Sequence, residues 1–175
     1  LYCGENQLIS VNVSGLIALK EFICNRNRIT SLDLSASIFL KSFDCSENLL
    51  TNLNVDGLIN LEELICSYNV LGNLNINGLI SLKELECNNN QINNLNTLSS
   101  GLNNLEALYC GSNLLTNLNV TTLLQLKRLN FENNQITNID VSLLTSLEYL
   151  TCNINQLTNL NVSGFIKKIN GNSNP

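Results

Sequence analysis

The chain has 175 residues, of which 13% are charged, with a net charge of −5 and no histidine. Its length is that of one domain with a sizeable core. The acidic balance argues against nucleic acid and anionic membrane surfaces as partners. The sequence also has no apolar run long enough to span a bilayer and no recognisable signal peptide, so we expect no direct membrane insertion.

A nine-residue phrase, L-x-x-L-x-C-x-x-N, recurs along the whole chain and is clearest at residues 61–69. Its cysteines are spaced mostly by 21 residues: Cys3, Cys24, Cys45, Cys66, Cys87, Cys110 and Cys152. In one copy Phe131 holds the cysteine slot. An asparagine follows three residues after every slot: Asn6, Asn27, Asn48, Asn69, Asn90, Asn113, Asn134 and Asn155. A fixed period of this length indicates a repeat protein.

We number the places of one repeat from its first leucine, so that Leu61 is place 1 and Cys66 is place 6. Apolar residues recur at places 1, 4, 6, 11, 14, 16 and 19, and places 4 and 6 alternate as the inward residues of a strand do. A coiled coil does not fit this spacing. The fitting solution is a solenoid with one repeat per turn, stacked at about 4.8 Å so that neighbouring turns bury each other's leucines.

The phrase resembles the leucine-rich repeats, specifically the short kind in which cysteine replaces a leucine of the strand. Bacterial internalin-like surface proteins and repeat proteins of the Bacteroidetes are similar to it. The resemblance implies a right-handed α/β-type solenoid, with a parallel β-sheet on the concave face and short strand, turn or 3-10 segments on the convex face. It also implies a bacterial protein located at the cell surface or outside the cell.

The repeats divide the chain into a solenoid over 1–167, with about eight repeats of which the first is incomplete, and a C-terminal tail or linker over 168–175. The pattern breaks after Phe165, and the next first-leucine slot falls on Lys168. Because the chain starts in mid-strand without a polar cap, we expect it to be part of a longer chain or larger assembly. Residues 96–101 carry two extra residues, which form either a tolerated surface bulge or a recognition loop.

The cysteine and asparagine rows have structural explanations. Stacked cysteines at one inward place have parallel Cβ vectors, so we expect free thiols that pack as small hydrophobes rather than disulfides. With no histidine and no C-x-x-C, the sequence predicts neither a metal site nor a cofactor. An asparagine can both donate and accept, so one side chain can bridge to the turns beside it.

The strand side is chemically varied, whereas the opposite side is nearly uniform. Places 2, 3, 5, 7 and 8 are expected to face solvent there, and places 2 to 8 carry 11 of the 14 acids but six of the nine bases. Alternating charges at place 2 are expected to fix the register of the strands. The candidate partner-binding residues are Tyr2, Ile23, Asp44, Glu63, Ile65, Tyr68, Glu84, Glu86, Tyr109, Arg128 and Tyr149.

These residues predict a non-catalytic binding module that engages a protein, peptide or glycan in adhesion or protein assembly. The tyrosines and isoleucines supply apolar anchors, and the acids favour a basic partner. The usual acid, base and nucleophile arrangements are missing, so we expect no enzyme activity. The alternatives are a passive spacer in a larger surface protein, and ice or crystal-surface binding by the convex Asn and Thr rows at places 12, 13 and 15.

Overall fold

The fold is known from a computed structural model, which describes residues 1–95, 98, 101–162 and 166–174. Regular structure in this part of the chain consists of ten strands of three residues each. They are β1 (Glu21–Ile23), β2 (Ser42–Asp44), β3 (Glu63–Ile65), β4 (Glu84–Glu86), β5 (Ala107–Tyr109), β6 (Arg128–Asn130), β7 (Asn138–Asp140), β8 (Tyr149–Thr151), β9 (Asn159–Asn161) and β10 (Lys168–Asn170).

Eight strands form one parallel sheet in the order β1-β2-β3-β4-β5-β6-β8-β10. A bridge from Tyr2 to Ile23 adds one more rung before β1. Residues at the same place of consecutive repeats are partners across the sheet, as in the pairs of Phe43 with Leu64 and of Leu64 with Leu85. This architecture confirms the predicted repeat solenoid with a parallel sheet.

The core is formed by the inward places of every turn. The middle residues of β1 to β6 and of β8 are at most 1% exposed: Phe22, Phe43, Leu64, Leu85, Leu108, Leu129 and Leu150. Two of them, Phe22 and Phe43, stack with ring centroids 5.4 Å apart. Leucines from the turns complete the core, so each rung buries its apolar residues against the rungs on either side.

The cysteines form a row inside this core. All seven, which lie within the described residues, are free, and six are buried while Cys3 at the first rung is half-buried. Burial raises the pKa of the Cys24 and Cys87 thiols to about 12. Neutral thiols packed among leucines behave as small hydrophobes, which confirms the prediction of free cysteines.

From Asn27 onward, each asparagine at place 9 joins its own turn to the preceding one. Asn69 donates from Nδ2 to the carbonyls of Cys45 and Cys66, at 3.0 and 3.2 Å, and its Oδ1 accepts the N–H of Leu50 at 2.9 Å. The same set of bonds recurs at Asn48 and Asn90. An aspartate lacks the donors for this arrangement, which explains why asparagine occupies the whole row.

The residue before each of these asparagines has left-handed backbone geometry, with φ between 52° and 60°. None of these place-8 residues is a glycine: Glu5, Arg26, Glu47, Tyr68, Asn89, Ser112, Asn133, Ile154 and Ser173. The left-handed residue turns the chain inward after the strand, and the hydrogen bonds of the asparagine side chain hold this turn in place. This conformation is unfavourable for β-branched residues, so Ile154 carries local strain.

The side opposite the sheet consists of turns and, at one end, of the two-stranded sheet formed by β7 and β9. At place 15, the side-chain oxygens of Asn and Asp accept the N–H two residues further along the same turn, as in the bond from Asp56 N to Asn54 Oδ1 at 2.9 Å. The convex row therefore holds the turns in shape, because Asn and Asp side chains mimic a backbone turn.

The C-terminal boundary predicted at residue 168 differs from the structure. Lys168–Asn170 forms β10 and pairs with β8, so that Ile169 lies opposite Leu150. Asn174 makes the place-9 bonds, donating to the Cys152 carbonyl at 3.0 Å and accepting the Leu157 N–H at 3.2 Å. The last turn is two residues shorter than the usual 21-residue repeat, and this shift hid the rung from the regular spacing.

Two further predictions fall largely outside the described residues. Four residues of the predicted insertion at 96–101 lie there, as does Phe165, where the sequence pattern breaks. Within and beside the insertion, Leu98 and Leu102 are buried at 0% and 1% exposure. These two leucines therefore belong to the core.

Candidate functional site

Two rows of side chains point outward from the large sheet, at places 3 and 5, and we call them the central rows. Each strand contributes its first and third residues to them, while its middle residue points into the core. Ten of the eleven predicted site residues lie in these rows: Tyr2, Ile23, Asp44, Glu63, Ile65, Glu84, Glu86, Tyr109, Arg128 and Tyr149. Tyr68 lies beside them, at place 8.

The predicted apolar anchors differ in exposure. Tyr2 and Tyr68 are 70% and 58% exposed, whereas Ile23, Ile65 and Tyr109 are half-buried. Neighbouring rungs cover the half-buried side chains, because residues at one place stack directly on each other across parallel strands. These three residues therefore offer a partner less apolar surface than the sequence suggested.

Four half-buried acids on β2, β3 and β4 form what we call the acidic block: Asp44, Glu63, Glu84 and Glu86. Glu63 and Glu84 are direct partners across the sheet, and Ile65 lies between Asp44 and Glu86. Burial, and then the negative charge of Glu84, raise the pKa of the Glu86 carboxyl. Like charges placed directly opposite each other destabilise a sheet.

Local donors satisfy part of this block without neutralising it. The Ser42 hydroxyl donates to Glu63 at 2.5 Å, and Ser46 donates its N–H and its hydroxyl to Asp44 at 2.9 and 2.6 Å. Serine carries no charge, so these donors bring no positive charge to the block. The block therefore remains a concentrated negative surface.

The rows on either side of the central rows have the opposite character. At place 2, Glu62 bridges Lys41 and Lys83 at 2.8 and 2.6 Å, and these two hydrogen bonds lower the pKa of the Glu62 carboxyl to about 2. Two more pairs continue this row: Lys127–Glu106 and Lys167–Glu148. At place 8, Arg26 likewise bridges two glutamates. These flanking rows hold all six ion pairs of the described residues, and none of the pairs includes the acidic block.

Positive charge collects further along the central rows, on the last strands. The Arg128 guanidinium lies 5.7 Å from the centroid of the Tyr149 ring, and Lys168 is the partner of Tyr149 on the next strand. We call Arg128 and Lys168 the basic end. Arg128 was a predicted site residue, whereas Lys168 was missed because it was assigned to the tail.

The sequence contains a pattern that would have revealed Lys168. Residues 166–174 read I-x-x-I-x-G-x-x-N, which is the repeated phrase with isoleucine for leucine and Gly171 in the cysteine slot. Lys167 also continues the alternation at place 2 and pairs with Glu148 at 2.9 Å. The repeated phrase fits residues 166–174 if the preceding repeat is allowed to be two residues shorter than the usual 21.

A second exposed row, at place 20, was not considered in the sequence analysis. Ile17, Ile38, Ile59 and Ile80 stand there with exposures of 66%, 49%, 51% and 53%. We call this set the isoleucine row. Each member directly follows an inward position in the sequence, so its side chain points outward to solvent. The row lies away from the predicted site and offers control positions for tests of it.

The described residues offer little for other classes of site. They contain no group of three or more His, Cys, Asp or Glu side chains that could hold a metal ion. They also contain no helix long and apolar enough to cross a membrane.

The stacked rungs, the parallel sheet and the inward leucines define the fold of the chain as a leucine-rich-repeat solenoid. No protein-family model matches the chain, and neither does any curated protein sequence. Among solved structures, the functional domain of InlJ from Listeria monocytogenes, which includes a cysteine ladder, is 33% identical with a TM-score of 0.89. That match covers 92% of this chain and 36% of the solved InlJ chain.

Two further neighbours share the fold at lower identity. Internalin C2 from Listeria monocytogenes is 24% identical with a TM-score of 0.86, and the match covers 96% of this chain and 78% of that one. The Leptospira interrogans leucine-rich-repeat protein LIC12759 is 23% identical with a TM-score of 0.72, and the match covers 93% and 50%. The chain thus spans about a third of the solved InlJ chain and half of the solved Leptospira chain.

Proposed function

We propose that the chain is a non-catalytic binding module of a bacterial cell-surface or secreted protein, and that it engages a protein partner through the central rows of its strand face. The observation that carries this proposal is the uncompensated charge of the acidic block beside flanking rows whose charges are paired. The internalin-like neighbours support a protein-interaction scaffold in general.

The charge pattern has a physical interpretation. Charges that serve the sheet alone would alternate between rungs, as Lys41, Glu62 and Lys83 do. The Glu63–Glu84 pairing costs stability instead, and such local conflicts are concentrated at functional sites. A cationic partner would relieve the repulsion on binding, and the negative surface would accelerate its approach.

The same reasoning favours a protein or peptide over a neutral glycan. Lysine and arginine supply the cationic groups that match the acidic block, whereas a neutral sugar supplies none. Tyr2 and Tyr68, the most exposed aromatic residues of the predicted site, would add apolar contacts.

A binding titration tests this proposal with two labelled peptides of equal length, one rich in lysine and arginine and the other rich in aspartate and glutamate. We expect the basic peptide to bind and the acidic peptide not to bind at low salt. The double variant Glu63→Gln/Glu84→Gln should weaken binding of the basic peptide about tenfold. Its control is Ile59→Ser in the isoleucine row, which should leave the affinity unchanged.

Equal affinity for the two peptides, or full binding by the double variant, would contradict the proposal. Failure of every peptide to bind would favour the alternative of a passive spacer. Circular dichroism of each variant separates a lost site from a lost fold.

A further inference from the structure

We propose that the partner presents an extended, charge-segregated segment, with lysine or arginine at one end and aspartate or glutamate at the other. The segment would lie along the stacking direction of the rungs, with its basic end on the acidic block and its acidic end on Arg128 and Lys168. This inference rests on the proposed function of the same face and specifies the chemistry of its ligand.

The order of charges along place 3 carries the inference. From β1 to β10 the row reads Glu21, Ser42, Glu63, Glu84, Ala107, Arg128, Tyr149 and Lys168. The sign changes once, at the buried Ala107. The net charge of −5 conceals this division, since it averages a negative half with a positive end.

No charged residue of either half forms an ion pair with another described residue. Lys127 and Lys167, which directly precede the members of the basic end, pair with Glu106 and Glu148 at 2.7 and 2.9 Å. Arg128 and Lys168 are exposed and belong to none of the ion pairs. Arg128 lies over Tyr149, an arrangement that orients a guanidinium while its N–H groups can still donate to a carboxylate.

The spacing between the two halves sets the length of the segment. The midpoint of β3 and β4 is three and a half strand spacings from the midpoint of β6 and β10, which is about 17 Å at about 4.8 Å per strand. An extended chain covers about 3.3 Å per residue, so the two charged groups would be separated by about five residues. Ala107, which lies between the halves, is uncharged and only 4% exposed.

Three synthetic peptides test the inference by fluorescence anisotropy. The first carries a lysine cluster and a glutamate cluster separated by about five Ser and Gly residues, the second has the same composition with Lys and Glu alternating, and the third carries lysine at both ends. We expect the segregated peptide to bind at least about tenfold more tightly than the alternating one, and more tightly than the lysine-only one.

A variant pair then assigns the preference to the basic end. The double variant Arg128→Gln/Lys168→Gln should weaken binding of the segregated peptide about tenfold. It should strengthen binding of the lysine-only peptide severalfold, because the variant no longer repels the second lysine cluster. Merely unfolding the site would not produce that gain. The matched control, Lys20→Gln/Arg28→Gln, removes the same charge from exposed residues outside the basic end and should change the ratio of the two affinities by less than about twofold.

Two outcomes would overturn the inference. If the lysine-only peptide binds more tightly than the segregated one, the acidic block acts alone, and the proposed function stands without the inference. If the segregated and alternating peptides bind equally well, the order of charge has no role. Absence of binding by all three peptides contradicts the proposed function as well.

Discussion

The interior rows and the central rows of the strand face differ in how far they vary from rung to rung. Inside, place 6 is cysteine in seven rungs and place 9 is asparagine throughout, because each rung offers the same space and the same unpaired backbone groups. Outside, places 3 and 5 carry acids, bases, tyrosines and isoleucines in no fixed period. Uniform rows thus serve stacking, and varied rows are free to serve recognition.

The largest effect is expected from breaking an interior row. Asn69→Ala leaves the Cys45 and Cys66 carbonyls and the Leu50 N–H without this partner, and should lower the free energy of unfolding by about 3 kcal/mol. Asn73→Ala, at an exposed place of the same turn, should change it by less than about 0.5 kcal/mol. Urea denaturation measures both, and equal effects would show that the buried amide is dispensable.

A smaller effect is expected at the one slot where the cysteine row is interrupted. Phe131 is fully buried, and Phe131→Cys restores the row but removes most of a ring. We expect a loss of about 2 kcal/mol, because the neighbouring rungs are packed around the larger side chain and a cavity remains. A gain in thermal stability would instead mean that the regular cysteine row is the better packing.

A stabilising change is expected at an exposed residue whose side chain disfavours the left-handed backbone conformation that the fold imposes on it. Ile154 has φ of 52° and is 54% exposed. Ile154→Asn should raise the free energy of unfolding by about 1 kcal/mol, since asparagine tolerates left-handed geometry better than a β-branched residue. Ile59→Asn is the control, as Ile59 has similar exposure without a positive φ. A loss of stability in Ile154→Asn would show that the Ile154 side chain packs usefully.

The smallest effects are expected from changes in pH. The pH dependence of folding stability should have opposite signs for a carboxylate of the flanking rows and one of the central rows. The Glu62 pKa is lowered to about 2 by hydrogen bonds from Lys41 and Lys83, so its contribution is present above the ordinary pKa and is lost as pH falls toward 2. The Glu86 pKa is raised by burial and by Glu84. Its ionisation therefore disfavours the folded state, and stability falls as pH rises from the ordinary value through the raised one.

Unfolding midpoints measured across this pH range separate the two carboxylates. Glu86→Gln should flatten the fall in stability with rising pH, and Glu62→Gln should flatten the loss at acid pH. If both variants shift the profile in the same direction, the distinction between the central and flanking rows is wrong.

Much of the molecule could be predicted from the sequence because one physical requirement repeats. The inward leucines, the free buried cysteines and the parallel sheet all follow from the repeated phrase, since a single turn cannot bury its own apolar residues. The charge alternation at place 2 was also visible, and it appears as ion pairs between neighbouring rungs.

Other features required the neighbouring turns to be seen in space. The half-burial of Ile65 and Tyr109 depends on the side chains stacked beside them, which their own sequence positions do not specify. The last rung was missed because a turn two residues shorter than the usual 21-residue repeat breaks the period while keeping Asn174 in its bonding position.

The sequence by itself determined the repeat, its phase and which side chains point inward, because these depend on local spacing. Only the tertiary structure decided which surface charges are paired and which are left uncompensated. Charges 19 or 21 residues apart along the chain become neighbours through stacking, and their distances depend on the shape and length of every turn between them.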